Sequence, residues 1–103
     1  MGNRLLEYRS MTYKLDFHPL AFKEWNSLDA PIREQFKQKL AERLENPHHQ
    51  PSKLSGQKGR YKIKLRSVGY RLVYEVRDNE LVVVIVSVGK RERNVVYKNS
   101  ANR

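Results

Sequence analysis

Three strand-like segments joined by very short connections dominate the second half of the chain. Residues 61–66, 70–77 and 81–88 are rich in β-branched and aromatic side chains, and turn signals separate them at Val68-Gly69 and Asp78-Asn79. Connections this short join neighbouring antiparallel strands. The last segment is apolar on both faces, which is typical of a strand inside a sheet rather than at its edge.

The first half of the chain has the pattern of one strand and two helices. Polar and apolar residues alternate over 12–17, which predicts a half-buried strand. Asp16 as a capping residue, followed by Pro19, indicates the start of a helix, and Asp29 with Pro31 indicates the start of a second, amphipathic one. The second helix is expected to end before the polar loop that precedes the three strands.

This order of elements predicts an α+β fold. We expect a mostly antiparallel four-stranded sheet with two N-terminal helices packed on one face and a short C-terminal helical segment. A chain of 103 residues builds one domain of this kind. It contains no cysteine, which excludes disulfides and thiol chemistry, and its longest apolar run is far below the ~20 residues of a membrane-spanning helix. The opening residues lack the apolar core of a signal peptide, so we expect a cytoplasmic protein.

Charge is distributed unequally along the chain. Lys and Arg number 21 against 11 Asp and Glu, and residues 53–103 alone hold 13 basic and 4 acidic side chains. A field this one-sided favours a polyanion such as nucleic acid as partner. A basic surface that serves only solubility is the alternative.

The side-chain period of two decides which strand residues point away from the helices. The register that brings apolar partners together on the covered face also places cations on the open face. The predicted pairs are Ile63 with Tyr74 and Leu65 with Leu72 on the covered face, and Arg66 with Arg71, Lys64 with Val73 and Lys62 with Glu75 on the open face. Facing arginines cost stability, so this arrangement indicates a phosphodiester-binding site. A solvated basic face with an ordinary Lys62–Glu75 ion pair explains the pattern equally well.

The chain also resembles a known family. The segments "YKIKLRSVGYRLVYEV" and "VVVIVSVGKRERNVVY", together with "FKEW" at 22–25 and "REQFKQKLAERLENP" at 33–47, resemble the RelE toxins of the RelE/ParE superfamily. The resemblance begins at Met11, so residues 1–10 form an N-terminal extension that we do not expect in the fold, and residues 11–103 form the toxin domain.

The resemblance implies a function. RelE toxins are ribosome-dependent mRNA interferases of type II toxin–antitoxin systems, which cut messenger RNA in the A site of the 70S ribosome and so inhibit translation. A RelB-type antitoxin would neutralise the enzyme and co-repress the operon with it, and operator DNA would be contacted only through that complex. No membrane partner and no cofactor are implied.

The family's site residues can be carried over by position. The catalytic positions fall on Lys62, Lys64, Arg71, Arg91 and Tyr97. The positions expected to bind RNA or the ribosome are Lys53, Lys58, Arg60, Arg66, Lys90, Arg93 and Lys98. Ser55 stands where the family has an arginine.

These residues suggest a chemistry without metal. The adjacent His48 and His49 are expected to be solvent-exposed in a polar loop rather than ligands, and the second half has few carboxylates. We expect the lysines to activate the 2′-OH, Arg71 to bind the phosphate and Arg91 to serve the leaving group, which yields 2′,3′-cyclic phosphate and 5′-OH ends.

Three questions stay open at this level. Tyr97 could stack on a base, share in proton transfer, or merely pack a short helix. The basic sheet could belong to a non-catalytic ribosome- or nucleic-acid-binding module. It could also exist only to receive an acidic antitoxin segment.

Overall fold

The computed structural model describes residues 12–103, so the predicted extension 1–10 lies outside the described residues. The elements, in chain order, are β1 Lys14–Phe17, α1 Pro19–Asn26, α2 Ala30–Glu45, β2 Arg60–Leu65, β3 Tyr70–Arg77, β4 Val82–Lys90 and α3 Val95–Ala101, with 3-10 turns at Gln50–Ser52 and Asp78–Glu80. The predicted α+β class is confirmed. Within residues 12–103, no helix combines the length and apolar character needed to cross a membrane.

The four strands form one mixed sheet in the order β1-β4-β3-β2. The pairs β2–β3 and β3–β4 are antiparallel, as the short connections predicted, whereas β1 runs parallel to β4. A parallel pair is possible here because α1, α2 and two strands lie between β1 and β4 in the chain, which supplies the long crossover that parallel strands need.

The register of the β2–β3 hairpin differs from the predicted one by two residues. The structure pairs Tyr61 with Tyr74, Ile63 with Leu72, Lys64 with Arg71, Lys62 with Val73 and Arg60 with Glu75. All five predicted pairs are therefore wrong, namely Ile63–Tyr74, Leu65–Leu72, Arg66–Arg71, Lys64–Val73 and Lys62–Glu75. A shift of two keeps every side chain on its predicted face, so the apolar pattern could not distinguish the two registers. The turn decides, since Gly69 adopts φ +71° and its N–H donates to the Leu65 carbonyl at 2.9 Å.

The start of α1 also differs in detail from the prediction. His18 occupies the N-cap, where its Nδ1 accepts a hydrogen bond from the Leu20 N–H at 3.1 Å. Asp16, the predicted cap, instead accepts from the Phe17 N–H at 2.8 Å within β1. Pro19 follows the cap as expected, because its missing N–H is not required at that position.

The main core joins α1 and α2 to the sheet. Trp25 of α1 and Phe36 and Leu40 of α2 belong to the same buried cluster as Ile63 and Leu72 of the sheet. The apolar residues whose spacing predicted the helices are thus the residues that pack against the sheet.

A β-bulge in β4 supplies a second, smaller core. Val73 pairs with Ser87 and Tyr74 pairs with Ile85, so Val86 is an extra residue without a partner. Val86 packs with Val73 and with Val96 of α3. The buried Ser87 hydroxyl donates to the Val96 carbonyl at 2.7 Å. The bulge therefore provides both an apolar contact and a hydrogen bond for α3.

Beyond the end of β1, side chains bind the backbone of β4. The last backbone bond on this side runs from the His18 N–H to the Ile85 carbonyl at 2.9 Å. Further along, Glu24 accepts from the Val88 N–H at 3.2 Å and Arg103 donates to the Val86 carbonyl at 2.9 Å. Arg103 and Glu24 also form an ion pair at 2.8 Å.

Candidate active site

Two lysines of β2 project from the sheet face opposite the main core. Residues of β2 alternate between buried and half-buried along the strand, with Tyr61 and Ile63 in the core and Lys62 and Lys64 half-exposed between them. Lys64 lies directly opposite Arg71 in the ladder. Like charges in this position destabilise a sheet, by about a few tenths of a kcal/mol.

Arg71 is buried although it carries a charge. Its side chain and backbone together are only 6% exposed, and its Nη1 donates to the Tyr70 carbonyl at 3.0 Å. Among residues 12–103, no carboxylate forms a salt bridge with it. A buried guanidinium without a counterion destabilises the folded protein, and its N–H groups are available to bind an anion.

The end of β4 and the start of α3 form a cleft beside Arg71. The Arg91 N–H donates to the Gly69 carbonyl at 2.7 Å, which fixes the end of β4 to the β2–β3 turn. Arg93 and Asn94 then adopt left-handed conformations, with φ of 46° and 60°, and turn the chain back into α3. The same small cleft, of about 10 Å³, is consequently lined by Arg71, Lys90, Arg91 and Tyr97.

The pKa of Lys64 shows that these cations act on one another. Its pKa is lowered, first by the charge of Lys62, then by loss of solvation, and then by Arg66, Arg71 and Arg91. The other three predicted catalytic cations therefore all lie within electrostatic reach of Lys64, and a lowered pKa increases the fraction of neutral amine that can accept a proton.

A groove of about 330 Å³ lies beside the β2 lysines, and Arg43 of α2 forms part of its lining. Arg43 donates to the Lys62 carbonyl at 3.2 Å, to the Tyr74 hydroxyl at 3.0 Å and to the Ser52 hydroxyl at 3.1 Å. It thus holds the backbone of the lysine strand in place. Arg43 could not be identified from the sequence, because an arginine among the many charges of an amphipathic helix carries no distinguishing signal.

The loop before β2 carries two more predicted binding residues. Lys53 and Lys58 are exposed and border a shallow depression together with Ser55. Arg93 and Lys98, near and within α3, are also exposed.

Arg60 differs from the other predicted binding residues, because intramolecular partners surround its guanidinium. It pairs with Glu75 at 3.1 Å and donates to the Gln57 side-chain carbonyl at 3.2 Å and to the Ser100 carbonyl.

His48 and His49 are exposed, as predicted, but have more partners than the sequence indicated. His48 shares hydrogen bonds with Asp78 at 2.7 Å and with the Tyr61 hydroxyl at 3.0 Å, and Tyr13 donates to the same Asp78 at 2.5 Å. This cluster lies near the end of β3, whereas the cleft lies near its start. Within residues 12–103, no three His, Asp or Glu side chains are grouped so that they could hold a metal ion.

Comparisons with known proteins identify the family. The model of the ParE toxin of the type II toxin–antitoxin system parDE matches residues 15–95. The mRNA interferase toxin RelE of Escherichia coli K12 is 54% identical over 93 residues, which are 90% of this chain and 98% of that protein.

Solved structures of E. coli RelE have folds similar to that of this chain. An arginine-to-alanine double mutant of E. coli RelE in the free state has a TM-score of 0.83 at 51% identity and covers 89% of this chain and 97% of its own. RelE in the intact E. coli RelBE toxin–antitoxin complex has a TM-score of 0.76 at 56% identity, with 79% and 99% covered. Because the family model and the relatives span most of its length, this chain belongs to the RelE/ParE family of toxins of type II toxin–antitoxin systems.

Proposed function

We propose that this chain is the toxin of a type II toxin–antitoxin system and acts as a metal-independent, ribosome-dependent endoribonuclease that cleaves messenger RNA in the ribosomal A site. The observation that carries the proposal is the buried Arg71, which has no carboxylate partner in the described part of the chain and lies opposite Lys64 in the ladder. The identity to a protein named mRNA interferase supports the same activity.

Lys64 is the general base in this proposal. Its neighbours lower its pKa, so that more of the amine is neutral and can take the proton of the 2′-OH. Lys62 contributes most to that lowering and also attracts the RNA backbone. The 2′-oxygen then attacks phosphorus.

Arg71 and Arg91 act on the phosphate. Arg71 binds its nonbridging oxygens and stabilises the charge that develops on them. The bond between phosphorus and the 5′-oxygen breaks, and Arg91, in the same cleft, stabilises or protonates that oxygen. The products are a 2′,3′-cyclic phosphate and a 5′-OH.

Tyr97 faces the cleft from α3 and packs at the edge of the small core formed with Val96. We assign it the role of stacking on a base of the bound message, where an aromatic platform contributes about 1–3 kcal/mol per base. Tyr97 is only partly buried, so its ring is available to the substrate.

The exposed cations around the cleft are assigned to docking. Lys53, Lys58, Arg66, Lys90, Arg93 and Lys98 are exposed and surround the proposed catalytic residues in sequence. They would bind ribosomal and messenger RNA through phosphates, with an affinity that falls steeply with salt. The ribosome would bend the message so that the 2′-oxygen, the phosphorus and the 5′-oxygen lie in line. In other reactions, orientation of this kind lowers the activation barrier by roughly 7–11 kcal/mol.

The partners follow from the relatives. E. coli RelE forms a complex with its antitoxin RelB, and we propose a RelB-type antitoxin here, which neutralises the toxin in the cytoplasm and represses the shared operon with it. Operator DNA would be bound only through that complex.

The proposal is tested by expressing the chain without an antitoxin in a bacterium and mapping the ends of messages. We expect growth arrest with cuts inside codons and 5′-OH ends, and a loss of cleavage of about 100-fold or more in Arg71→Ala. Lys37→Ala, an exposed cation on α2 paired with Glu34, should cleave like the parent. Arrest without cuts would instead identify a non-catalytic ribosome-binding module, and 3′-OH ends would exclude attack by the 2′-OH.

A further inference from the structure

Four polar side chains connect α3 to β2, to β3 and to the loop before β2. We call them the α3 clamp, and they are Gln57, Arg60, Glu75 and Ser100. The guanidinium of Arg60 contacts the carboxylate of Glu75, the side-chain carbonyl of Gln57 and the backbone carbonyl of Ser100 at the same time. A single fork of N–H groups reaches all three, which a lysine ammonium on its flexible stem could not reproduce.

The clamp is largely shielded from water. The side chains of Arg60 and Glu75 are 15% and 22% exposed. Partial burial alone would raise the pKa of Glu75, but hydrogen bonds from Arg77 and Arg60 outweigh it and keep this pKa below its ordinary value. Glu75 therefore stays charged at neutral pH and fixes Arg60 in place.

The clamp ends on the backbone of Tyr97. The Gln57 amide donates to the Tyr97 carbonyl at 3.3 Å, and the Ser100 hydroxyl donates to the same oxygen at 2.9 Å. The Ser100 hydroxyl also lies 2.9 Å from the Gln57 side-chain carbonyl. Two donors thus bind the carbonyl of the one residue whose ring lines the cleft from α3.

Apart from the clamp, the helix is oriented by the hydrogen bond from Ser87 to the Val96 carbonyl and by one small apolar cluster. It is seven residues long, and helices this short are marginal without tertiary contacts. Its apolar contact is the small cluster of Val73, Val86 and Val96. The orientation of Tyr97 therefore depends on hydrogen bonds at least as much as on packing.

We propose that Gln57 and Arg60 are positioning residues, which hold Tyr97 in the cleft through the backbone of α3. This role rests on the proposed ribonuclease function, in which Tyr97 contacts the substrate. It replaces the assignment of Arg60 to RNA binding, because the guanidinium is turned towards Glu75, Gln57 and Ser100 rather than exposed.

A double-mutant cycle tests this role. Arg60→Ala, Arg60→Lys and Gln57→Met are made in the parent and in Tyr97→Ala, and single-turnover cleavage of a message in programmed ribosomes is measured against toxin concentration. In the parent background, we expect each of the three changes to lower the saturating rate by about tenfold, since small misplacements of a substrate-contacting group have effects of this size or larger. The half-saturating concentration should change by less than about twofold.

The Tyr97→Ala background separates positioning from RNA contact. If Arg60 and Gln57 act through Tyr97, replacing them lowers the saturating rate almost no further once the ring of Tyr97 is removed. Additive losses, or an Arg60→Lys protein that cleaves like the parent, would show that Arg60 acts by its charge and would overturn the positioning role.

Controls distinguish the remaining cases. Lys37→Ala removes an equal charge from the exposed surface of α2, outside the clamp, and should leave both parameters unchanged. Thermal unfolding of each variant identifies an assay temperature at which all variants are folded. If the arginine variants are too unstable, Gln57→Met still tests the positioning role, because it keeps the Arg60–Glu75 pair. A parent that does not cleave overturns the proposed function itself, whereas a parent that cleaves and tolerates Tyr97→Ala overturns only the positioning role.

Discussion

Arg71 and Lys64 lie opposite each other across two strands, and each would be more stable beside a carboxylate. Arg71 lines the cleft together with residues of α3 and is buried, so water can solvate it little. Residues that oppose stability and have no structural partner are concentrated at functional sites, because selection retains them for binding or catalysis. The pair therefore identifies the centre of the site better than the total charge does.

The lowered pKa of Lys64 predicts the pH dependence of cleavage. A general base works in its deprotonated form, so the saturating rate should rise with pH and level off once the pH exceeds the pKa of Lys64, at a value below the ordinary 10.5. Single-turnover rates on programmed ribosomes from pH 6 to 9 would measure this rise.

Two variants test whether Lys64 is the titrating group. Lys64→Arg cannot lose its proton in this range, so its rate should be low and nearly independent of pH. Arg66→Gln removes one of the charges that lower the pKa and should move the curve to higher pH. An unchanged curve in Lys64→Arg would assign the base to another group.

The sequence predicted the site's residues better than their partners. Alternation along β2 and β3 was enough to place Lys62, Lys64 and Arg71 on one face. A register error of two residues does not change this, because it leaves every side chain on the same face of the sheet. It could not show that Arg60, rather than Lys62, lies opposite Glu75. That depends on the register of the hairpin, which the apolar pattern does not specify.

The connection between β3 and β4 contains a strained residue. Asp78–Glu80 form a 3-10 turn, after which Leu81 adopts φ +53° in the left-handed region. This conformation costs a non-glycine residue about 1–2 kcal/mol. The Leu81 side chain is 43% exposed and packs little, while its carbonyl accepts the Lys14 N–H at 2.8 Å.

Leu81→Gly should therefore stabilise the protein. Glycine removes the strain but adds freedom to the unfolded chain, so the net gain in the free energy of unfolding should be roughly 0.5–1 kcal/mol in urea denaturation. Leu81→Ala is the matched control, because it removes the same side chain but keeps the strain. A gain of equal size in Leu81→Ala would attribute the effect to the exposed leucine instead.

At the scale of the whole molecule, acid should weaken the fold through particular carboxylates. The pKa of Glu75 is lowered in the folded protein, so its contribution is complete above the unfolded value of about 4.5 and is lost as the pH falls through the folded value. Urea unfolding at pH 7, 5, 4 and 3 should show stability falling below pH ~4.5, and less steeply in Glu75→Gln.

A matched variant checks the origin of this acid dependence. Glu45 is exposed at the end of α2, so Glu45→Gln should retain the parent's dependence on pH. If Glu75→Gln also retained it, the acid sensitivity would belong to other groups.

The overall architecture was largely accessible from the sequence. Short turns fixed the β2–β3–β4 meander, and the apolar stripes fixed α1 and α2. The parallel pairing of β1 with β4 and the bulge at Val86 were not accessible, because both arise from packing between segments distant in the chain. The bulge lies inside a continuous apolar run, where no change of pattern marks it.

The short β1 has a consequence for self-association. A strand whose backbone groups are unpaired at a sheet edge is a template for a strand from another molecule and hence for aggregation. Past Phe17, the side of β4 that β1 no longer covers would offer such a template. The Glu24 carboxylate instead accepts a hydrogen bond from the Val88 N–H, and Arg103 donates one to the Val86 carbonyl. One ion pair therefore lets the first strand end early without leaving this stretch of β4 open to a strand from a second copy of the chain.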